Sequence, residues 1–384
     1  VARPYWFNAP VFEGADASRR VVGVIRRNTE LPVSHRTGGK GCDKGSWYQL
    51  VGGGYVCRAD GYVISTALDP MEEGLQTARP GSEAPLPFIY AKVHRGDPPL
   101  YWRLPSAEEL ESGSSKPVRE HSTGAHFAAI EQLIEHEGHT FARTVRGFYV
   151  DVDDLSFLPP SRMSGQVLEG EGSLPLAFVH EQFAPVHDPE SLAVVGYAEK
   201  YARGVVEEEV DDHGAAMVRL ADGYLVPRAS VRLVDRIDRP DKIPADAQWV
   251  SIDLDEQTLV AYEGDEPVLA TLVASGQAGF EPDLGVFQIE KKYLTKTMEG
   301  PDPIAGTYRV EQVPWTMYYW GSLALHGAYW HDGFGKPRSH GCTNIPPADA
   351  RWLFQWAKPE LPMGWHGAVR LDGPYVHITR SSKT

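Results

Sequence analysis

Basic charge, long apolar runs and cysteine are what this 384-residue chain has little of. Lys and Arg number 37 against 52 Asp and Glu, a net charge of −15, and no cluster of basic residues offsets it. Such a surface repels nucleic-acid phosphates and anionic lipid, so neither is an expected partner. No apolar stretch approaches the roughly 18 to 20 residues needed to cross a bilayer, so no membrane span is expected. Of the 3 cysteines, Cys42 and Cys57 lie close together in a Gly-rich, turn-rich stretch, and Cys342 stands alone.

What is present is enough for a large folded core. Hydrophobic residues make up 42% of the chain and charged residues 23%, and no segment reads as disordered or fibrous. The length predicts two or three domains of about 150 residues. Two paired cysteines plus one reactive thiol is the arithmetic of an exported enzyme with one disulfide, Cys42 to Cys57. The alternative is two small unpaired core residues. The chain opens on Val1-Ala2-Arg3-Pro4 without an initiator Met, which is compatible with a removed leader. The expected location is the periplasm or cell envelope.

Short apolar runs separated by turn residues dominate residues 1–68 and predict a small barrel or sandwich. Their closing stretch, "GSWYQLVGGGYVCRADGYV", resembles a bacterial SH3-like module. Two later stretches end in a similar way, "RTVRGFYVDVDDLSFL" at 143–158 and "RLADGYLVPRASVRLV" at 219–234. Three divergent β-rich modules are therefore expected, at 1–68, 69–160 and 161–240. The alternative is that Gly-aromatic pairs are common turn chemistry and no repeat exists. In the middle module, "SAEELESGSSKPVREHSTG" reads as a mobile inserted loop. A short amphipathic helix is expected after it, with Phe127, Ile130, Leu133 and Ile134 on one face.

Beyond Pro240 and Pro244 the pattern changes to longer alternating strands. Residues 249–254 predict a strand with Val250, Ile252 and Leu254 on one face, paired through a turn with 258–262. Further strands are expected at 267–274, 284–290, 306–313, 316–325 and 367–371. One helix is expected after Pro346-Pro347, since proline suits the first helical turn. Trp352 and Trp356, one turn apart on it, read as core anchors. The fold class expected for the whole chain is mainly β with few helices.

Chemistry concentrates in "LALHGAYWHDGFGKPRSHGCTNIPPADARWLFQW", residues 323–356. Alternation along Leu323-Ala324-Leu325-His326 turns His326 away from the leucines, at a strand end. The Gly-rich loop that follows leads to Ser339-His340-Gly341-Cys342-Thr343-Asn344. A free thiol has a pKa near 8.5, so its attack on an amide needs a neighbouring base, and imidazole suits that role. Gly341 lets backbone approach the substrate closely, and amide N–H groups around it are natural oxyanion donors. From the residues alone, either His326 or His340 could be the base. His331 and Asp332, with His326, His340 and Cys342, could supply zinc ligands, but their spacing matches no compact zinc pattern. No metal and no cofactor is expected.

The order His326-Gly327, loop, Ser339-His340-Gly341-Cys342-Thr343-Asn344 resembles the signature of the L,D-transpeptidase catalytic domain, the YkuD-type family. The upstream "LGVFQI" and "WTMYYWG" fit that family's order of elements. Thr343 departs from the usual Val or Ile but keeps the β-branched shape. The resemblance covers residues 246–374 and implies a β-sandwich with few helices. It implies Cys342 as nucleophile, His326 as proton acceptor and the Gly327 carbonyl as the group orienting the imidazole. His340 and Gly341 would shape the catalytic loop, supported by Ser339 and Asn344, with Tyr318, Trp330 and Arg338 lining the groove. The implied substrate is the peptidoglycan stem peptide, cut after its third residue and joined to a neighbouring stem in a 3→3 cross-link, a step of wall synthesis and cell shape. Resolution by water would give a carboxypeptidase. The rivals are a cysteine hydrolase of the wall and a scaffold that binds wall glycan or protein through its N-terminal modules.

Overall fold

The computed structural model describes residues 1–18, 20–27, 29–43, 45–66, 84–94, 99–116, 125–169, 174–212, 214–302 and 306–381. The architecture is mainly β, with two α-helices, Ala107–Ser112 and Pro347–Trp356, among the described residues. Contacts divide the chain into two compact units, each built from separate stretches. The first contains residues 1–160, 291–316 and 360–370; the second contains 161–290, 317–359 and 371–384.

In the first unit, Trp47–Leu50 pairs with Val33–Thr37 on one side and Tyr55–Cys57 on the other. Trp47 is buried edge-on against Phe12, 5.3 Å between ring centroids. Cys42 and Cys57 form a disulfide beside them.

Two expectations in this unit are corrected. The stretch expected as a mobile loop begins with a helix, Ala107–Ser112. Ser106 and Glu109 form a reciprocal capping box, and Gly113 closes the helix at φ 64. Of the rest of that loop, residues 117–124 lie outside the described residues. The amphipathic helix is instead a strand, Ala125–His136, flanked by Ile89–Val93 and His139–Thr144. Thr144 pairs with Ile130 and Arg143 with Gln132, so Glu131 is an extra residue in the ladder. A bulge of this kind breaks the two-residue period and produces helix-like spacing of apolar residues in a strand.

Two sheets lie wholly within the second unit among the described residues. One runs in the order Gln166–Val167, Glu266–Leu272, Thr258–Glu263, Gln248–Asp253, Tyr375–Thr379, Gly285–Gln288. Its strand Gln248–Asp253 lies between an antiparallel and a parallel neighbour, and Trp249 to Ile252 are all buried. The one-faced alternation expected there is therefore corrected: a central strand covered on both sides has no solvent face. Trp249 stacks on Tyr262 at 4.1 Å, an arrangement worth about 0.5–1.5 kcal/mol beyond area burial.

The other sheet is seven-stranded and lies within residues 176–234. Its Leu176, Phe178 and Val234 share one core with Trp249, Val260, Tyr262, Ala328 and Phe334. The stretches 143–158 and 219–234 take the same local form, a strand, a one-turn 3-10 helix and a strand.

The strands expected at 306–313 and 316–325 are one long strand, Gly306–Trp320, and a returning strand, Leu323–Gly327. The two residues between them form the turn, with Gly321 at φ 52. The helix Pro347–Trp356 starts at proline, as expected. Its Trp352 and Trp356, expected as core anchors, are instead half-buried and stack at 5.8 Å, while Leu353 and Phe354 are among the buried side chains.

Candidate active site

Two short parallel strands position the candidate residues His326 and Cys342. Leu323–Gly327 pairs with Thr343–Ile345 so that His326 faces Asn344 and Leu325 faces Thr343. Cys342 therefore sits at the mouth of the second strand, half-buried. Its sulfur contacts the Ser322 carbonyl at 3.6 Å, at the tip of the hairpin. Burial pushes the thiol up to about 11, partly countered by a backbone hydrogen bond from Ala324.

His326 is 2% exposed. Burial pushes its imidazole down to about 4, and backbone hydrogen bonds oppose the shift. Nδ1 lies 3.4 Å from the Gly327 carbonyl. A proton on Nδ1 donated there leaves Nε2 with its lone pair, the tautomer a base requires. Burial thus disfavours the charged form of each group, thiolate and imidazolium alike.

The loop before the thiol is tied at nearly every residue. Arg338 and Ser339 N–H groups both donate to the Ser275 carbonyl, and the Gln277 N–H donates to Ser339. Ser339 Oγ donates to the Cys342 carbonyl and accepts the Gly341 N–H at 3.0 Å. That bond engages the Gly341 amide, one of the expected oxyanion donors, within the loop itself. Gly341 has φ 117, and a Cβ there would come within 2.8 Å of Leu323 Cδ2. Only glycine accepts both conditions. Asn344 exchanges both backbone hydrogen bonds with Ala274.

The remaining expected residues fall around this centre. His340 stands edge-on to Phe280 at 4.9 Å. Trp330 lies 5.6 Å from the His326 ring, and Tyr318 pairs with Ala324 across the hairpin. Arg338 is exposed, and its positive charge helps to push the His331 imidazole down to about 3, after burial as the main cause. His331 meets the Asn344 amide at 2.8 Å and accepts the Gly333 N–H at 3.1 Å. No group of three or more His, Cys, Asp and Glu placed to hold a metal occurs among the described residues.

Sequence reasoning missed three supports. Tyr319 is buried, and burial with the nearby Cys342 holds its phenol above the usual range. Gln257 brackets Ser275, accepting its N–H and donating to its hydroxyl, both at 2.7 Å. Asp349, in the first turn of Pro347–Trp356, accepts from Thr271 and from the Gly165 N–H. Burial pushes that carboxyl up to about 6. Only Tyr319 had a signal in sequence, its place in the aromatic run "WTMYYWG".

Residues 247–368 match the family model described as the L,D-transpeptidase catalytic domain, YkuD. No curated protein matches the chain. Among solved structures, a mutant L,D-transpeptidase from Enterococcus faecium is 21% identical, with 38% of this chain and 54% of that chain covered and a TM-score of 0.29. An L,D-transpeptidase from Stackebrandtia nassauensis is 22% identical, covering 36% of this chain and 60% of that one, TM-score 0.26. L,D-transpeptidase 3 from Mycobacterium tuberculosis is 15% identical, with 41% and 74% covered and a TM-score of 0.29. The chain spans about half the length of the Enterococcus structure. Scores this low carry no argument about this chain, and the assignment rests on the family model. Residues 247–368, about a third of the chain, thus resemble an L,D-transpeptidase catalytic domain.

Proposed function

We propose that the protein is a peptidoglycan L,D-transpeptidase that forms 3→3 cross-links through a thioester on Cys342. The observation that carries this reading is the placement of Cys342 beside the His326 strand, on a loop whose Gly341 conformation excludes any side chain. Cys342 Sγ attacks the carbonyl of the third stem residue while its proton passes to His326 Nε2. Because burial disfavours both charged forms, proton transfer accompanies attack rather than preceding it. The tetrahedral intermediate collapses to the thioester, and His326 returns the proton to the departing D-alanine amine. An amine of a neighbouring stem then attacks the thioester and regenerates the thiol.

With Gly341 N–H engaged by Ser339, the oxyanion contacts fall to the neighbouring amides, Cys342 N–H first. Trp330, Tyr318 and Arg338 would line the groove, with Ser339 and Asn344 holding the loop. Residues 1–68, 69–160 and 161–240 would be SH3-like accessory modules directing the enzyme to wall glycan or protein. The shared strand, 3-10 turn and strand at 143–158 and 219–234 supports that kinship. The disulfide Cys42–Cys57 supports an exported, periplasmic or envelope enzyme. No helix among the described residues is long and apolar enough to cross a membrane.

Incubation with disaccharide-tetrapeptide and mass spectrometry of the products tests the reading. Cross-linked dimer with loss of D-alanine is expected. Tripeptide alone would make the enzyme a carboxypeptidase, and neither product nor acyl-enzyme would leave a binding scaffold.

A further inference from the structure

We propose that Lys200 and Tyr201 are positioning residues for Cys342, acting through the loop that joins it to His326. The inference rests on the acyl-transfer reading of Cys342 and identifies what holds that site in place. Both residues lie at the turn between Val194–Glu199 and Arg203–Asp212, in the seven-stranded sheet that precedes the catalytic segment.

The contact is built rather than incidental. Tyr201 has φ 70, a left-handed conformation that an aromatic residue rarely adopts. Its N–H is tied to the Val179 carbonyl at 2.8 Å, and its ring packs on the shared core of the unit. The phenol donates to the Asp332 carbonyl at 2.7 Å. Lys200 Nζ, held over the Tyr201 ring, donates to the same carbonyl and reaches the Asp332 carboxylate at 3.3 Å. Ser161 donates to the other carboxylate oxygen. One loop residue is thus gripped through main chain and side chain by three groups from outside the loop.

From Asp332 the connection continues to the nucleophile. The adjacent His331 meets Asn344 at 2.8 Å, and Asn344 lies opposite His326, two residues beyond Cys342. A second grip lies further along the loop, where Arg232 donates to the Gly335 carbonyl at 2.8 Å and Lys336 pairs with Glu181 at 3.0 Å. Between the grips Phe334 is buried in the shared core. Phe334 and the strand ladder keep the loop folded without Lys200 and Tyr201. What those two add is the setting of Asp332, and through His331 and Asn344 the setting of Cys342 against His326.

The test is acylation of Cys342 by p-nitrophenyl acetate, followed as the p-nitrophenolate burst from pH 5 to 9. In this reaction Sγ attacks the ester carbonyl, p-nitrophenolate leaves and the thiol proton goes to His326. The double variant Lys200→Met/Tyr201→Phe is expected to acylate about tenfold more slowly at neutral pH, the scale of a small misplacement of a reacting group. Its thermal midpoint should stay at the parental value, while amide exchange across 331–336 speeds up. Lys200→Arg should restore the parental rate. A double variant that acylates as fast as the parent, or Lys200→Arg as slow as Lys200→Met, would overturn the proposal. Should the double variant not fold, Tyr201→Phe alone is read against the same criterion. A parent that acylates with the ester but yields no product from tetrapeptide removes the peptidoglycan assignment and leaves this proposal standing. A parent that acylates with neither overturns both.

Discussion

Each unit of this protein buries a histidine whose imidazole is pushed down by burial, and only one of them lies in a strand paired with the strand that follows the free thiol. In the first unit His366 is 4% exposed and its Nε2 faces Arg26, the Thr295 carbonyl at 2.8 Å and the Thr295 hydroxyl at 3.5 Å. Arg26 is itself pushed down to about 9 by burial and also donates to Gln312. In the second unit His326 Nδ1 lies 3.4 Å from the Gly327 carbonyl, and its neighbour in the adjacent strand leads directly to a half-buried thiol. The shift in pKa is shared; the thiol at the start of the neighbouring strand is not. A perturbed histidine is therefore a site candidate only when a group it could serve lies beside it.

Removing the thiol should have the largest effect. Cys342→Ala is expected to lower turnover by at least about 10³-fold while circular dichroism stays unchanged. Substituting the two histidines breaks the comparison directly. His326→Gln should cost about 10²–10⁴-fold in acylation, the range of a lost general base, with a small change in the urea midpoint. His366→Gln should do the reverse, lowering stability by about 2–3 kcal/mol through unpaired buried groups and sparing the acylation rate of the folded protein. If His366→Gln proved the more damaging to acylation, the assignment of His326 would fall.

Gly341→Ala comes next. The strained φ and the contact with Leu323 should destabilise by about 1–3 kcal/mol and slow acylation, both read on the same preparation.

The pH dependence sharpens the contrast further. His326 stays neutral down to about 4, so acylation should persist well below the pH at which a free imidazole protonates. Buried neutral histidines contribute stability that is complete above their unfolded pKa near 6.5 and is lost as pH falls toward the folded value. Asp349 has the opposite sign: its folded pKa of about 6 is raised, so its contribution is complete below about 4 and lost as pH rises through about 6. Asp349→Asn should abolish that alkaline loss between pH 4 and 6, the smallest of these effects, measurable by urea titration at the two ends. An unchanged slope would show that the Gly165 and Thr271 bonds do not depend on the charge of Asp349.

Much of the local structure of residues 323–356 was legible because its signals are local. The Ser-His-Gly-Cys order, the strand ending in His326 and the proline-initiated helix each follow from neighbouring residues. The strand Ala125–His136 was not legible, because the bulge at Glu131 exists only through its partner strand. The helix Ala107–Ser112 carried its capping box in the sequence, but a stretch of Ser, Glu and Gly also satisfies the pattern of a loop. Tyr319, Gln257 and Asp349 gave weak signals or none, since their roles depend on residues far away in the chain.

The sequence by itself determined that this protein is mainly β, that Cys342 lies in a glycine-permitted loop, and that imidazoles stand near it in the chain. These depend on composition, short periods and the conformational freedom of one glycine. Only the tertiary structure decided that His326 lies across a parallel ladder from the strand that Cys342 begins, and that the residues before 240 grip the loop between them. Parallel pairing and loop anchoring join stretches distant in sequence, and their hydrogen bonds form only after the chain has folded around a common core.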